Sequence, residues 1–202
     1  MPGYLLTAVV AYFIGSIPTG YLFGRARGVD IRKTGSGNIG ATNVFRTLGK
    51  TAGIFVLLID AVKGFVPTTF LLFGATPETH EYHAMVAGMF AILGHNYTCW
   101  LRFKGGKGIA TSAGVLIALV PYGLLITLGV WLIVFAVSRY VSLASIVAAV
   151  VLPFAVWAVG RSTRMIVLCA VVSILAIYKH RTNIQRLLGG TEHRFGTKKE
   201  AA

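Results

Sequence analysis

The sequence is poor in charge, and poorest in acidic residues. Asp, Glu, Lys and Arg make up 12% of its 202 residues, and only six of these are acidic. A soluble domain carries about 25% charged residues, so this chain lacks the charge to cover a water-facing surface. Its 55% hydrophobic content suits lipid instead. The length is that of one domain, and we predict a single integral membrane domain over residues 1–202.

Cysteine and the usual metal-binding patterns are also scarce. The two cysteines, Cys99 and Cys169, lie in or beside apolar runs, where we expect small buried side chains. No CxxC motif or Cys/His cluster is present to hold zinc, and no cluster of acids to hold Mg²⁺. We therefore predict no metal and no cofactor.

Several widespread enzyme motifs are missing. The sequence has no GxSxG nucleophile elbow and no HExxH motif. A His-x4-Asp pair, which many acyl-transferring enzymes use, cannot occur, because Asp30 and Asp60 are the only aspartates and both precede the first histidine. Any chemistry must rest on other residues.

Three apolar runs have the length of one membrane span each. They cover residues 4–23, 52–73 and 84–101. About 20 residues of helix extend about 30 Å, which matches the hydrocarbon core of a bilayer. The first run has no basic residues before it and is followed by Arg25 and Arg27. We therefore expect a retained span rather than a cleaved signal peptide.

Two further apolar runs, residues 109–137 and 141–178, are too long for one ordinary span each. Pro121 and Gly123 interrupt the first, and the polar stretch 160–164 interrupts the second. We interpret each run as a hairpin and predict an all-α, polytopic transmembrane helix bundle with seven spans. Five spans, two of them long and tilted, are the alternative.

Lysine and arginine fall almost entirely on one side of these seven spans. Cytoplasmic loops carry the excess of such residues, so we predict that the basic side is cytoplasmic, the N-terminus outside and the C-terminus cytoplasmic. Arg161 and Arg164 lie on the opposite side, and Lys63 lies within a span. The basic side receives Arg25, Arg27, Arg32, Lys33, Arg46, Lys50, Arg102, Lys104, Lys107, Arg139, Lys179, Arg181, Arg186, Arg194, Lys198 and Lys199.

The net charge of +13 would suggest nucleic acid as the partner of a soluble protein. Beside membrane spans, the same charge fits topology signals, anionic lipid headgroups and phosphate-bearing substrates better. We therefore expect membrane lipid and small anionic molecules as partners, no nucleic acid, and a location in the cell (inner or plasma) membrane with the functional site on the cytoplasmic side.

The first polar segment on the basic side is residues 35–46, GSGNIGATNVFR. Its three glycines allow backbone N–H groups to converge on an anion, and a helix is expected to start near Gly40 with its N-terminus toward the same place. Arg46 adds a planar two-point donor suited to phosphate. A flexible linker with topology-setting basic residues is the alternative. The neutral donors are Ser36, Asn38, Thr42 and Asn43.

The second segment is residues 102–108, RFKGGKG, which runs into the next apolar run. Two ammonium groups, an open glycine backbone and a helix N-terminus have the physics of a phosphate-binding loop. The spacing is not that of a Walker A motif. A positive-inside anchor is the alternative, although an anchor does not need the glycines.

The third segment is residues 180–192, HRTNIQRLLGGTE. On a helix, His180 and Asn183 share one face, and Gly189–Gly190 ends the helix. Glu192 is expected to pair with cytoplasmic arginines rather than perform chemistry.

Three ionisable residues are predicted within the spans. His95, late in the third apolar run, either binds substrate or is a satisfied interior histidine. Asp60 and Lys63 stand three residues apart in the second run, so they can neutralise each other, and a structural pair is the favoured interpretation.

Phosphate-binding segments at a membrane admit two main functions. One is an enzyme that acts on a lipid at the interface, and the other is a transporter of a phosphorylated metabolite. Transporters usually show internal repeats and broken helices at the bilayer midplane, whereas this chain concentrates its polar residues on one face. A scaffold subunit would not explain three polar, Gly-containing segments.

Taken together, GSGNIGATNVFR, FKGGKGIAT and HRTNIQRLLGGTE resemble the bacterial acyl-phosphate:glycerol-3-phosphate acyltransferases, in order and over essentially the whole chain. The resemblance implies transfer of a fatty acyl group from acyl phosphate to the 1-hydroxyl of sn-glycerol 3-phosphate, in bacterial phospholipid biosynthesis. The products would be lysophosphatidic acid and inorganic phosphate. It also implies functional coupling to the enzyme that makes acyl phosphate.

The resemblance implies roles for individual residues. Ser36, Asn38 and Arg46 would hold the acyl-phosphate headgroup or the oxyanion, and His180 and Asn183 would orient the acceptor. The base is either His180 or a substrate phosphate oxygen. The expected catalytic residues are Ser36, Asn38, Arg46, His180 and Asn183. The expected substrate-binding residues are Gly37, Gly40, Thr42, Asn43, His95, Lys104, Gly105, Gly106, Lys107, Gly108 and Arg186, with Glu192 structural.

Overall fold

The computed structural model describes residues 2–196, which form ten α-helices, two short 3-10 helices and no strand. The all-α prediction is therefore confirmed. Lys198 and Lys199, which contribute to the predicted basic side, lie outside the described residues. The helices fall into two compact units, residues up to 121 and residues from 122 onward.

The first unit contains six α-helices, whose packing partners are α1 with α5 and α4 with α6. Two short 3-10 helices, Ile31–Lys33 and Cys99–Leu101, stand between them. The α-helices are α1 (Pro2–Ser16), α2 (Thr19–Arg25), α3 (Ala41–Leu48), α4 (Lys50–Phe70), α5 (His80–Asn96) and α6 (Ile109–Leu119).

The first apolar run forms one candidate span, Pro2–Arg25, as predicted, but its helix is interrupted near the end. α1 ends at Ser16 and α2 starts at Thr19. Pro18 is the physical reason, because proline inside a helix lacks an N–H donor and clashes with the carbonyl four residues earlier. The break frees two carbonyl oxygens. The oxygen of Ser16 accepts from Thr98 Oγ1 at 2.6 Å, and that of Ile17 accepts from Lys63 Nζ at 2.8 Å.

Glycines let the helices of each pair approach closely. A side chain at Gly114 on α6 would overlap the carbonyl oxygen of Ala61 on α4, and one at Gly64 would overlap that of Thr111. Gly15 on α1 and Gly94 on α5 face backbone of the other helix in the same way. Small residues at such crossings are typical of helix pairs in membranes, where close van der Waals packing drives association.

The second unit contains α7 from its second residue on, with three more α-helices. α8 packs against α9, and α10 contacts both. Trp131 Nε1 on α7 donates to Ser145 Oγ on α8 at 3.1 Å. The breaks before Pro121 and at residues 159–162 fall where the sequence predicted them. These helices are α7 (Pro121–Ser138), α8 (Val141–Ala158), α9 (Thr163–Lys179) and α10 (Arg181–Leu188).

Several helices have the length and composition of membrane spans. Four segments qualify within the described residues, and the bent pair of α9 and α10 would be a fifth. α6, with 11 residues, is shorter than an ordinary span, whereas α5 and α9, with 17 residues each, reach its lower limit. The protein is therefore a multi-pass membrane protein. The qualifying segments are Pro2–Arg25, Lys50–Phe70, Pro121–Ser138 and Val141–Ala158.

Candidate functional site

The side chain of Asn43 holds segment 35–46 together. Its Nδ2 donates to the carbonyl oxygens of Ile31, Thr34 and Asn38 at 3.1, 3.1 and 2.9 Å, and its Oδ1 accepts from the N–H of Ser36 at 2.8 Å. Asn43 is 2% exposed. Each buried carbonyl that loses its donor costs about 1–3 kcal/mol, so this one amide fixes the path of the loop.

The sequence led us to expect that the backbone N–H groups of segment 35–46 point outward. Three of them instead make hydrogen bonds within the protein. The N–H of Ser36 is engaged by Asn43, that of Gly37 by the carbonyl of Thr34 at 3.0 Å, and that of Gly40 by Asn38 Oδ1 at 2.8 Å. Donors for an anion must therefore come chiefly from side chains. Ser36 is exposed, and the Nε atom of Arg46 on α3 is buried.

α3 begins where the sequence predicted a helix start. Gly40 is its N-cap and provides no side-chain cap, and Thr42 lies half-buried in the first turn. The first N–H groups of any α-helix have no partner within the helix, so this end of α3 adds donors beside Ser36.

Segment 102–108 lies against the last turn of α5. The N–H of Gly105 donates to the carbonyl of Asn96 at 3.2 Å, and that of Gly106 to the carbonyl of His95 at 3.1 Å. A side chain at Gly105 would overlap the carbonyl oxygen of His95, and one at Gly106 would overlap His95 Nε2. Close packing on α5 therefore requires these glycines, a reason that neither interpretation of the sequence had anticipated.

The positive charge of segment 102–108 flanks the two packed glycines. Lys104 is exposed and Lys107 is half-buried. Gly108 then caps α6 in the left-handed region, with φ of 81°. Because the N–H groups of Gly105 and Gly106 are engaged by α5, an anion here would bind chiefly to the two ammonium groups.

Segments 35–46 and 102–108 meet over one apolar cluster. Leu101, the residue before segment 102–108, packs with Ile31, Ile39 and Val44. Ile39 and Val44 belong to segment 35–46, so the fold brings the two segments side by side. The sequence analysis grouped them only because both lie on the predicted basic side.

A buried charged cluster lies beneath segment 102–108. Asp60 Oδ1 and Lys63 Nζ, both on α4, are 2.8 Å apart, which agrees with the predicted pair. His95 Nδ1 is 3.8 Å from the same oxygen of Asp60. All three side chains are 5% exposed or less. His95 is therefore an interior residue.

In the second unit, Glu192 is the centre of a hydrogen-bond cluster. Its Oε1 accepts from Ser142 Oγ and Asn183 Nδ2, each at 2.7 Å, and its Oε2 accepts from Arg186 Nε at 2.7 Å. The pairing with an arginine agrees with the structural role expected for Glu192. Ser142, on α8, was not singled out from the sequence, where a serine in an apolar helix gives no signal of its partner.

His180 lies at the junction of α9 and α10, which are bent by 56°. It is 3% exposed, and its Nδ1 lies 2.8 Å from the carbonyl oxygen of Ala176. A carbonyl oxygen only accepts, so Nδ1 carries the proton of this hydrogen bond. In the neutral ring Nε2 is then the acceptor, the form that a base requires.

The pKa of Glu192 reflects opposing effects. Burial raises this pKa, while hydrogen bonds from Arg186, Ser142 and Asn183 lower it, and the net pKa lies below the ordinary value of 4.5. A carboxyl group with a lowered pKa contributes stability above its ordinary value, and that contribution is lost as the pH falls through the folded-state pKa.

We therefore expect Glu192→Gln to lower the melting temperature at neutral pH, and the difference from wild type to shrink once the pH falls below about 4.5. Thermal unfolding of detergent-solubilised protein over a pH series measures this. Glu78→Gln is the control, because this exposed carboxylate also has a lowered pKa, from a hydrogen bond with Thr76, and should show a much smaller difference of the same sign. A Glu192→Gln difference that stays constant down to about pH 3 would contradict the assignment.

The similarity to known proteins extends over nearly the whole chain. A profile of the family described as "Glycerol-3-phosphate acyltransferase" matches residues 5–190. A protein of that name from Geobacter sulfurreducens is 49% identical over 191 residues, which covers 95% of this chain and 97% of the relative. One from Geotalea daltonii is 46% identical over 195 residues, with 96% and 99% covered.

Solved structures agree in fold. A crystal structure of PlsY (YgiH), described as an integral membrane glycerol 3-phosphate acyltransferase in its glycerol 3-phosphate form, superposes with a TM-score of 0.89. It is 42% identical, and 96% of each chain is covered. The lysophosphatidic acid form superposes with a TM-score of 0.87 at 41% identity, with the same coverage. The chain belongs to the glycerol-3-phosphate acyltransferase family.

Proposed function

We propose that this protein transfers a fatty acyl group from acyl phosphate to the 1-hydroxyl of sn-glycerol 3-phosphate in bacterial phospholipid biosynthesis. The observation that carries the proposal is the match to PlsY over 96% of both chains, in forms named for glycerol 3-phosphate and lysophosphatidic acid. Those names describe a substrate and a product of acyl transfer. They argue against the transporter alternative.

The chemistry itself requires neither a metal ion nor a protein nucleophile. Acyl phosphate is a mixed anhydride, so phosphate is already a good leaving group. The hydroxyl oxygen attacks the acyl carbon, the bond from that carbon to the phosphate oxygen breaks, and the hydroxyl proton leaves. The protein has to position two anionic substrates and stabilise charge on the acyl oxygen. Its net charge of +13 offsets the repulsion between the two phosphates.

We assign the acyl-phosphate headgroup to segment 35–46 and glycerol 3-phosphate to segment 102–108. In the first, Ser36, Thr42 and Arg46 supply side-chain donors beside the start of α3, while Asn38 and Asn43 shape the loop. In the second, Lys104 and Lys107 bind the phosphate. The shared apolar cluster of Leu101 joins the two segments, which supports the binding of both phosphate groups at one site.

A turnover assay tests the function. Purified protein in detergent, given acyl phosphate and glycerol 3-phosphate, should form lysophosphatidic acid and release one phosphate per turnover. Lys104→Ala should raise the KM for glycerol 3-phosphate, because one ammonium group of the phosphate site is lost. Lys50→Ala, at another exposed lysine, is the control and should keep the wild-type KM.

No turnover in this assay, together with uptake of a phosphorylated metabolite into liposomes, would reverse the conclusion in favour of transport. Turnover with an unchanged KM in Lys104→Ala would keep the function and overturn only the assignment of segment 102–108.

The base remains one of two groups in this proposal. His180 has the tautomer that a base requires, and Asn183 and Arg186 are held near it on α10 by Glu192. A phosphate oxygen of a substrate is the other candidate, and the one we favour, because it reaches the hydroxyl without help from the protein.

The pH–rate profile of His180→Gln distinguishes the two. If the substrate phosphate is the base, the variant should retain a profile of the same shape, with a lower rate from poorer orientation of the acceptor. Loss of the acidic limb of the profile, with a fall in kcat of about 100-fold or more, would identify His180 as the base.

We further propose seven spans in an inner or plasma membrane, with the N-terminus outside, the C-terminus cytoplasmic and the active site on the cytoplasmic side. The seven apolar helices are α1, α4, α5, α6, α7, α8 and α9, of which α6 is short. The concentration of lysine and arginine on one side supports this orientation.

Cysteine labelling tests the topology, in a background with Cys99 and Cys169 replaced. With seven spans, an impermeant maleimide should label Arg161→Cys from the outside and Arg139→Cys only after permeabilisation. Both positions are exposed. With five spans, Arg139→Cys would be labelled from the outside, and Arg161→Cys would resist labelling within the membrane.

A further inference from the structure

We infer that Asp60 is a positioning residue that acts through His95 on segment 102–108, with Lys63 as its counterion. The inference rests on the proposed function, since it concerns how the glycerol 3-phosphate site is held in shape. The juxtaposition that carries it is a buried carboxylate on α4, a buried histidine on α5 and two backbone-packed glycines of segment 102–108.

The stability of the fold does not by itself explain the buried ion pair of Asp60 and Lys63. Asp60 and Lys63 are 2% and 5% exposed, so both have lost their hydration. Buried pairs often add no net stability, and apolar residues of similar volume commonly serve as well or better. Ionisable residues within membrane spans therefore indicate function by default. Lys63 neutralises Asp60, but neutralising it gives no reason for the carboxylate to be there.

Lys63 is held on its other side by the break in the first helix. Its Nζ donates to the carbonyl oxygen of Ile17, which Pro18 leaves without a helical partner, at 2.8 Å. With the ammonium group fixed between Ile17 and Asp60, the carboxylate also has a fixed position. The same oxygen of Asp60 that contacts Lys63 lies 3.8 Å from His95 Nδ1.

His95 transmits that position to segment 102–108. The Nδ1 edge of its ring faces Asp60, and the Nε2 edge lies against Gly106 so closely that any side chain there would overlap it. The backbone carbonyls of His95 and Asn96 bind the N–H groups of Gly106 and Gly105. A contact of 3.8 Å is longer than a hydrogen bond, so the carboxylate of Asp60 would act on the ring by attracting the N–H dipole of the tautomer that carries its proton on Nδ1.

The orientation of the His95 ring affects the positions of Lys104 and Lys107. Lys104 and Lys107 flank Gly105 and Gly106, so a rotated ring of His95 would displace the backbone that sets the spacing of the ammonium groups. Binding groups must be held within about 0.5 Å of their productive positions, so such a displacement would weaken the binding of the phosphate. The structure thus assigns to Asp60 an effect on the affinity for glycerol 3-phosphate and no part in the chemical step.

The first test is Asp60→Asn with Lys63→Met, a neutral double variant that leaves no buried charge unpaired. We expect the KM for glycerol 3-phosphate to rise about ten-fold, with kcat and the KM for acyl phosphate changed less than about three-fold. The single variant Asp60→Asn leaves Lys63 uncompensated and should have a lower melting temperature than the double variant. Glu78→Gln, an exposed carboxylate-to-amide change, is the control and should match wild type.

If Asp60 and Lys63 have only a structural role, the double variant should give a different result. In that case the double variant would keep the wild-type KM for glycerol 3-phosphate, whatever the loss of the Lys63–Ile17 hydrogen bond does to its melting temperature, and this outcome would overturn the inference. A rise in the KM for acyl phosphate equal to that for glycerol 3-phosphate would also overturn it, because the effect would not be directed at segment 102–108.

The second test asks whether Asp60 acts through His95. His95→Gln alone should raise the KM for glycerol 3-phosphate, and adding it to the neutral double variant should raise the KM no further, since residues in one contact chain are not additive. Effects that multiply would show independent roles and overturn the inference.

Binding can be followed without turnover. Glycerol 3-phosphate should raise the melting temperature of wild type, and the double variant should need about ten-fold more ligand for the same rise. If wild type binds but does not turn over, the proposed function fails while this inference is still decided by the ligand series. Equal ligand dependence in wild type and the double variant would overturn the inference alone.

Discussion

The break at Pro18 is the constraint on which the rest of the first unit depends. In an apolar environment every backbone polar group needs a partner inside the protein. The two carbonyls at the break find theirs in Thr98 Oγ1, after α5, and Lys63 Nζ, on α4. Tyr12 on α1 also donates its hydroxyl to the carbonyl of Tyr97, at 2.7 Å. One irregularity thus ties three helices together, and one of the two bonds comes from the buried cation that pairs with Asp60.

The glycines of segments 35–46 and 102–108 have a different role from the one that their pattern in the sequence suggests. Glycine-rich loops often bind phosphate through backbone N–H groups. Here the N–H groups of Ser36, Gly37, Gly105 and Gly106 are engaged within the protein, and the missing side chains at 105 and 106 admit α5. In the site that we propose, anion recognition therefore falls chiefly to Lys104, Lys107 and Arg46.

The sequence predicts the helices well because their signals are local. Apolar runs, Pro121 and the polar stretch at residues 160–164 each mark a helix or its end within a few residues, and the structure follows them. Pro18 carried the same local signal, but the apolar run around it hid the break. The three polar segments were also found from the sequence, since glycine, asparagine and basic residues stand out beside apolar spans.

The contacts that shape the site were beyond prediction because they join distant residues. Asn43 binds carbonyls up to 12 residues away, and Ser142 reaches Glu192 across 50 residues. No periodicity encodes such pairs, and an amide drawn inward resembles, in sequence, one that faces a ligand. The direction of Asn43 depends on where Ile31 and Thr34 place their carbonyl oxygens.

The positions of the few acidic residues give a physical reason for their small number. Among the acidic residues that the structure describes, Asp30 pairs with Arg32, Asp60 with Lys63, and Glu192 with Arg186. The hydrogen bond from Arg32 lowers the pKa of Asp30 to about 2, so this pair stays charged over the whole working range of pH. More acids would neutralise the field that draws two mutually repelling phosphates together. The chain keeps carboxylates where they hold a donor in place, and Asp60 does so beneath segment 102–108, to which we propose that glycerol 3-phosphate binds.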